Sequence, residues 1–373
     1  MHRNFQPNRD AGYSLLELLV SLGVMLILTA AAFSLVGGSI RFANSAYYMT
    51  DAEESLRAAH EIINRDLTSA GDGLKSIGSI KVPKNFARTF VTRTTLEDAS
   101  DPNHHPLGLL SSEDAIPVST AVPLAAAGTN FLPNSDRISM VTQDRDFNGG
   151  NAVSVAAGKI VFTASDTIID VGTSINLFQS GEIYAVISGS SAAFGIISAN
   201  GIDTVNKKIT MSNGDAFGLN ETGALAPIAQ AVGQQTVAGV TSNQNPASIV
   251  RLQMIQYYVT DTKMLMRRVF GIQGGGFTET PVAEHVTNLQ FRYQTNVSDA
   301  NHFATQPVTS ITSGLQQSNL REVETTIGVE TVHAVNKMTN ANATDSTNGK
   351  QTIQTTTATT VRNLQFGVNA RTQ

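Results

Sequence analysis

Residues 12–17, Gly12-Tyr13-Ser14-Leu15-Leu16-Glu17, open an apolar run whose reading decides the rest of the chain. From Leu18 to Ile40 no side chain is charged, and Arg41 closes the run. About twenty apolar residues in a helix span the hydrocarbon core of a bilayer, so the segment is long enough to cross one. Glu17 is the exception, an acid near the start of the segment. A carboxylate costs roughly 2.5–3.5 kcal/mol or more at the bilayer centre, so Glu17 needs a partner or a place near the interface. The leader, residues 1–12, carries His2, Arg3 and Arg9 against one acid, Asp10. That is a positive flank of the kind retained on the cytoplasmic side.

A secretory signal peptide is cut after its apolar region, following small residues. Here the candidate cut, between Gly12 and the bulky Tyr13, lies in front of it. Cleavage at that point keeps the helix and leaves a new amine four residues from Glu17. The coincidence of glycine, acid, apolar run and basic leader closely resembles the class III (prepilin) signal of type IV pilins and type II secretion pseudopilins. The resemblance implies cleavage after Gly12 by a prepilin peptidase and N-methylation of Tyr13, where the family usually has Phe. It also implies that Glu17 pairs with the N-terminal amine of a neighbouring subunit, so that two groups costly in lipid meet during assembly. The plainer alternative is a signal anchor with an incidental Gly and Glu.

The chain has 373 residues, room for a substantial core and for more than one subdomain. A formal net charge of −5 gives no electrostatic case for nucleic-acid binding. Charged residues are only 15% of the total and polar uncharged ones are abundant, as in exported β-rich proteins. There is no cysteine, hence neither a disulfide nor a thiolate metal site.

Beyond Arg41 the helical pattern continues. Ala52, Leu56, Ala59, Ile63 and Leu67 fall at steps of three and four, with Glu53, Glu54, Arg57, Glu61 and Arg65 opposite, an amphipathic helix with one face for a sheet. Gly37-Gly38 is a soft spot, and Thr50 with Glu53 matches a capping box able to restart the helix. One long helix is the favoured reading, with Ser69-Ala70-Gly71-Asp72-Gly73 as its stop. Prolines punctuate residues 73–135, which read as loops with small strands.

Strands are expected at Arg137–Thr142, Lys159–Ala164, Glu182–Ser188, Phe194–Ser198 and Lys207–Met211. Residues 212–247, rich in Gly, Ala, Gln and Asn, read as a long surface loop. Ser248–Thr260 and Met264–Phe270 read as a hairpin, followed by strands at His285–Gln294, Val323–Val335 and Thr352–Val368, with a loop over Asn336–Lys350. The expected organisation is a leader (1–12), a transmembrane or filament-core helix (13–41), an amphipathic helix (42–70) and a β-rich head (71–373). The fold class is α+β: a long hydrophobic N-terminal helix whose C-terminal half packs on an antiparallel β-rich head with long loops.

Segments of the tail look like one subgroup of the same superfamily. Ile63-Asn64-Arg65-Asp66-Leu67-Thr68-Ser69-Ala70-Gly71, Ile255-Gln256-Tyr257-Tyr258-Val259, Leu265-Met266-Arg267-Arg268, Val286-Thr287-Asn288-Leu289-Gln290-Phe291-Arg292-Tyr293 and Thr360-Val361-Arg362-Asn363 resemble large minor pilins of the PilW kind and the minor pseudopilin GspJ. The middle of the chain carries no such match.

Other chemical motifs are thin. Asp144, Asp146 and Asn148 start like a calcium loop, but the twelfth position is Val155 rather than an acid, and a polar turn is the plainer reading. His104-His105 reads as a solvated loop pair and His60 as part of the helix's polar side. His333 reads as a core histidine on an apolar strand face. Gly274-Gly275-Gly276 reads as a turn. No G-x-S-x-G elbow, Walker loop or dinucleotide fingerprint occurs, so neither an enzyme nor a cofactor is expected.

The expected function is a minor pilin, a structural subunit that initiates or caps a type IV pilus. The alternatives are a minor pseudopilin of type II secretion or a membrane-anchored, adhesin-like binding module. The partners implied by the resemblance are prepilin peptidase, other major and minor pilins, the inner-membrane assembly platform and, before assembly, membrane lipid. The chain would cross the inner membrane once with its head in the periplasm, and later form part of an extracellular pilus or a periplasmic pseudopilus.

Overall fold

The computed structural model describes residues 14–74, 77, 79–91, 103–223, 226–272, 276–295, 320–335, 343–345 and 349–364. It consists of a long apolar N-terminal helix followed by a β-rich head built from several sheets, a mixed α+β architecture.

Helix α1 (Leu15–Ser69) is uninterrupted. Ser14 caps its start, accepting the Glu17 N–H on its hydroxyl at 3.4 Å. The Gly37-Gly38 pair does not end it. Thr50 does not restart it either, because its hydroxyl bonds back to the Ala46 carbonyl at 2.9 Å inside the continuous helix. The helix stops at Ser69 as the Gly-rich sequence predicts. Gly71 takes φ +74 and its N–H donates to the Val141 carbonyl at 2.8 Å, turning the chain onto the sheet.

The chain then forms β1 (Ser79–Pro83), β2 (His104–Leu107), β3 (Leu110–Glu113), β4 (Arg137–Gln143), β5 (Val153–Val155), β6 (Ile160–Phe162) and β7 (Asp166–Asp170). There follow β8 (Ile183–Ser188), β9 (Ser191–Ile196), β10 (Ile202–Asp203), β11 (Lys208–Ser212), β12 (Gln234–Val237) and β13 (Val240–Asn243). The last group is β14 (Ala247–Val259), β15 (Leu265–Ile272), β16 (Gly276–Ala283), β17 (Val286–Thr295), β18 (Leu320–Glu330), β19 (Ala343–Asp345) and β20 (Gln351–Thr360).

Strand β14 organises the head. Its first half lies between β5 and β8, and its second half between β4 and β15. From it the first sheet extends through β15 to β16 on one side and through β8, β9 and β1 to β2 on the other. Among the described strands one pair, β1 with β9, runs parallel; the remaining ladders are antiparallel. A second sheet, ordered β10-β11-β7-β6-β13-β12, has its own core of Ile160, Ile169, Ile209 and Met211, closed by Ile228 and Val232. A third, β17-β18-β20-β19, joins the first sheet in burying the amphipathic half of α1, where Ala52, Leu56, Ala59, Ile63 and Leu67 face the main core.

Several expectations are corrected. Residues 212–247 are not one surface loop: they hold a tight turn at Asp215, a short helix (Pro227–Val232) and the β12–β13 hairpin. The alanine-rich helix packs closely on β8 and β9 because its small residues permit it, and Ile228, Ala229 and Val232 are buried. The Phe194–Ser198 strand begins at Ser191, where low-propensity alanines are paired with β8, and ends at Ile196. Strands β5 and β7 fall in segments that the sequence reading left unassigned. The Val323–Val335 strand ends at Glu330, and the final strand ends at Thr360. Part of the Asn336–Lys350 loop is β19, paired to β20, while residues 336–342 and 346–348 lie outside the described residues. Of the glycine turn, Gly276 opens β16, and Gly274 and Gly275 lie outside the described residues.

Candidate functional site

The candidate site is the N-terminal part of α1. No described residue from Ser14 to Asn44 is buried against the head, and Leu15, Leu16, Met25, Phe33 and Leu35 are each at least 70% exposed. An apolar surface of this extent has no place in water. Its polar side chains are hidden locally: Ser21, Thr29 and Ser39 donate to the carbonyls of Leu18, Met25 and Leu35 at 2.9, 2.7 and 3.0 Å. Such back-bonding satisfies hydroxyls without a partner from outside the helix, as a hydrocarbon environment requires. The helix is long and apolar enough to cross a membrane once.

Glu17 sits in the first turn, where the exposed N–H groups and the helix dipole favour a negative charge. Its carboxylate has no hydrogen-bond or ion-pair partner among the described residues. Gly12 and Tyr13, the predicted cleavage and methylation positions, lie outside the described residues.

From Ser45 onward the helix is gripped by the head. Asp66, buried at 5% exposure, accepts the Tyr257 hydroxyl at 2.6 Å and the Arg267 Nε at 2.6 Å. Burial and the neighbouring Asp66 carboxylate push the Tyr257 hydroxyl far above its ordinary range, so it stays a proton donor. His60 belongs to this seam and not to the polar side. It is 5% exposed, its Nδ1 lies 2.8 Å from the Thr357 hydroxyl, and burial lowers its proton affinity. Asn64 takes the Thr359 hydroxyl at 2.6 Å, and the Asn363 amide donates to the Thr68 carbonyl at 3.0 Å. The threonine-rich β20 thus supplies hydroxyls to the buried His60, at Nδ1, and to the half-buried Asn64. The periodicity missed this because His, Asn and Asp at these positions look like solvent-facing residues.

The other candidates fall elsewhere. One oxygen of Asp144 accepts the Asp146 N–H at 3.0 Å, and the other meets Arg251 at 2.8 Å and Gln253 at 3.1 Å. Asn148 bonds Asn151, so the candidate calcium positions act here as a polar turn pinned to β14. His104 and His105 are not in a solvated loop: they form part of β2 and are buried, with His104 Nε2 2.6 Å from the Glu221 carboxylate. His333 lies past the end of β18, exposed, with its ring 5.0 Å from that of Tyr48 on α1. Among the described residues no group of three or more His, Asp and Glu side chains is placed to hold a metal ion.

A family model of the prokaryotic N-terminal methylation motif matches residues 7–33. The match spans the predicted cut, Glu17 and the exposed apolar helix as far as Phe33, and indicates a type IV pilin-like, prepilin-processed protein. No curated protein and no solved structure matches the chain.

Proposed function

We propose that this chain is a minor pilin: a structural subunit cut after Gly12, methylated at Tyr13, and assembled through α1 into a type IV pilus. The observation that carries the reading is the state of α1 between Leu15 and Ile40. That segment is apolar, not buried by its own head, and bears one acid without a described partner. A bundle of like helices would cover such a surface, and the new N-terminal amine of a neighbouring subunit would neutralise Glu17. Before assembly, lipid serves the same covering role, with the subunit held in the inner membrane and its head in the periplasm. The large head suits a place at the filament tip, where it would initiate or cap assembly, because repeating it at every subunit would crowd a helical array.

Mass spectrometry of the native protein's N-terminus tests the reading. N-methyl-Tyr13 as first residue is the expected result, whereas an intact Met1 or a cut beyond residue 30 would overturn it.

A further inference from the structure

Glu17 and Arg41 bracket the uncharged stretch of α1, and neither makes an ion pair among the described residues. At ~1.5 Å per residue they stand about 36 Å apart along the helix axis, or about 34 Å with the helix tilted by about 20°. The hydrocarbon core of a bilayer is about 30 Å thick. Both charges therefore reach the two interfaces together, each just outside the hydrocarbon. A slide of one helical turn, about 5.4 Å, in either direction draws one of them inside the boundary, at a cost.

The end of the span nearer the head carries more than a charge. Phe42 and Tyr47 are 62% and 68% exposed, and Tyr47 meets the ring of Tyr48, on the same helix, edge-on at 5.9 Å. The head closes on α1 just beyond Arg41. Ser45 is the first buried residue of the helix, and His333 lies against Tyr48 with ring centroids 5.0 Å apart. Tyr47 stands about 45 Å from Glu17 along the axis. A bilayer with its headgroups included is about 40–45 Å thick, so Arg41, Phe42 and Tyr47 cover the headgroup layer between them.

We infer that Arg41, Phe42 and Tyr47 form a collar that binds phospholipid headgroups on the head's side of the bilayer and sets the depth of α1. The guanidinium presents a planar fork of donors that matches a lipid phosphate. A tyrosine ring turns an apolar body to the acyl chains and a hydroxyl to water, which is why such rings collect at membrane interfaces. Phe42 adds apolar area at the hydrocarbon boundary. The head acts as the stop: with His333 already beside Tyr48, sinking α1 further would drag polar head surface into hydrocarbon. A protein surface suits the collar less well, because it would desolvate a guanidinium that has no acceptor on its own chain. The headgroup layer supplies phosphate and water together. The inference rests on the membrane-held stage of the proposed function and is independent of cleavage after Gly12 and of filament assembly.

The chain has no tryptophan, so a single introduced indole reports one position. The full-length variants Leu28→Trp, Phe42→Trp and Tyr47→Trp, all at exposed positions of α1, are placed in vesicles of phosphatidylethanolamine and phosphatidylglycerol. Nitroxide quenchers are carried either on the headgroup or at the end of the acyl chain. Leu28→Trp is expected to be quenched most from the chain end, and Phe42→Trp and Tyr47→Trp most from the headgroup. Adding Arg41→Ala to Phe42→Trp is expected to raise its chain-end quenching about twofold as the helix slides, whereas Arg41→Lys keeps the original depth. Strongest quenching of Phe42→Trp from the chain end, or a depth unchanged by Arg41→Ala, would overturn the proposal. So would shielding of Phe42→Trp from both quenchers while Leu28→Trp responds, since protein and not lipid would then cover the collar. Absence of quenching at Leu28→Trp as well would remove the membrane span itself, a failure distinct from that of the collar.

Discussion

The Asp66 carboxylate and the Tyr257 hydroxyl meet at 2.6 Å beneath the end of α1, and Arg267 closes on the same oxygen at 2.6 Å. This buried clamp joins the helix to the paired strands β14 and β15 of the main sheet. Replacing Asp66 with Ala leaves a guanidinium and a phenol without their acceptor. The expected loss is about 2–4 kcal/mol of head stability, visible as a lower Tm by circular dichroism in detergent. An unchanged Tm would mean that the clamp is ornamental.

Gly71 holds the turn out of the helix. With φ +74, and with Leu364 Cδ2 only 2.7 Å from where a Cβ would stand, Gly71→Ala strains both backbone and packing. A destabilisation of roughly 1–3 kcal/mol is expected, measurable as a shift of the urea midpoint. The same change at Gly128, which has φ +88 but open space around it, isolates the backbone part of the cost.

Asp136 gives the head a distinct pH response. Burial pushes its carboxyl up to about 7, assisted by Asp114, against the opposing hydrogen bonds from the Ala115 and Phe291 N–H groups. The folded state thus holds the proton more tightly than the unfolded chain, whose reference value is 3.8. This contribution to stability is complete below about pH 4 and is lost as pH rises towards 7. Thermal melts across that window are expected to show the decline, and Asp136→Asn to flatten it. A slope that survives in the variant would assign it to other groups.

Glu17→Val removes the acid while lengthening the apolar surface. The variant is expected to be cut after Gly12 and to remain membrane-bound, but to be depleted from sheared filaments by roughly tenfold. Immunoblots of sheared and membrane fractions check this. Normal incorporation of the variant would remove the amine-pairing role.

Much of this architecture was legible in the chain. The apolar run, its stop at Gly71, the apolar stripe from Ala52 to Leu67 and the β14–β15 hairpin all follow from strong local periodicity and turn chemistry. What stayed hidden depends on contacts far apart in sequence. His60 and Asn64 look solvent-facing until β20, nearly the whole chain away, brings its threonines to them. His104 and Glu221 carry no shared spacing that would announce their pairing. The helix at Pro227–Val232 was obscured because small residues signal loops as readily as close packing.

The placement of β14 has a mechanical consequence. Its first half, with β5 and β8, borders the core of the lobe built on the second sheet, and its second half, through Tyr257, holds the base of α1. Tension applied to the lobe reaches the shaft along one continuous backbone. Because that backbone is laced to neighbours along both margins, a load directed down its length must slide whole ladders at once instead of opening them rung by rung.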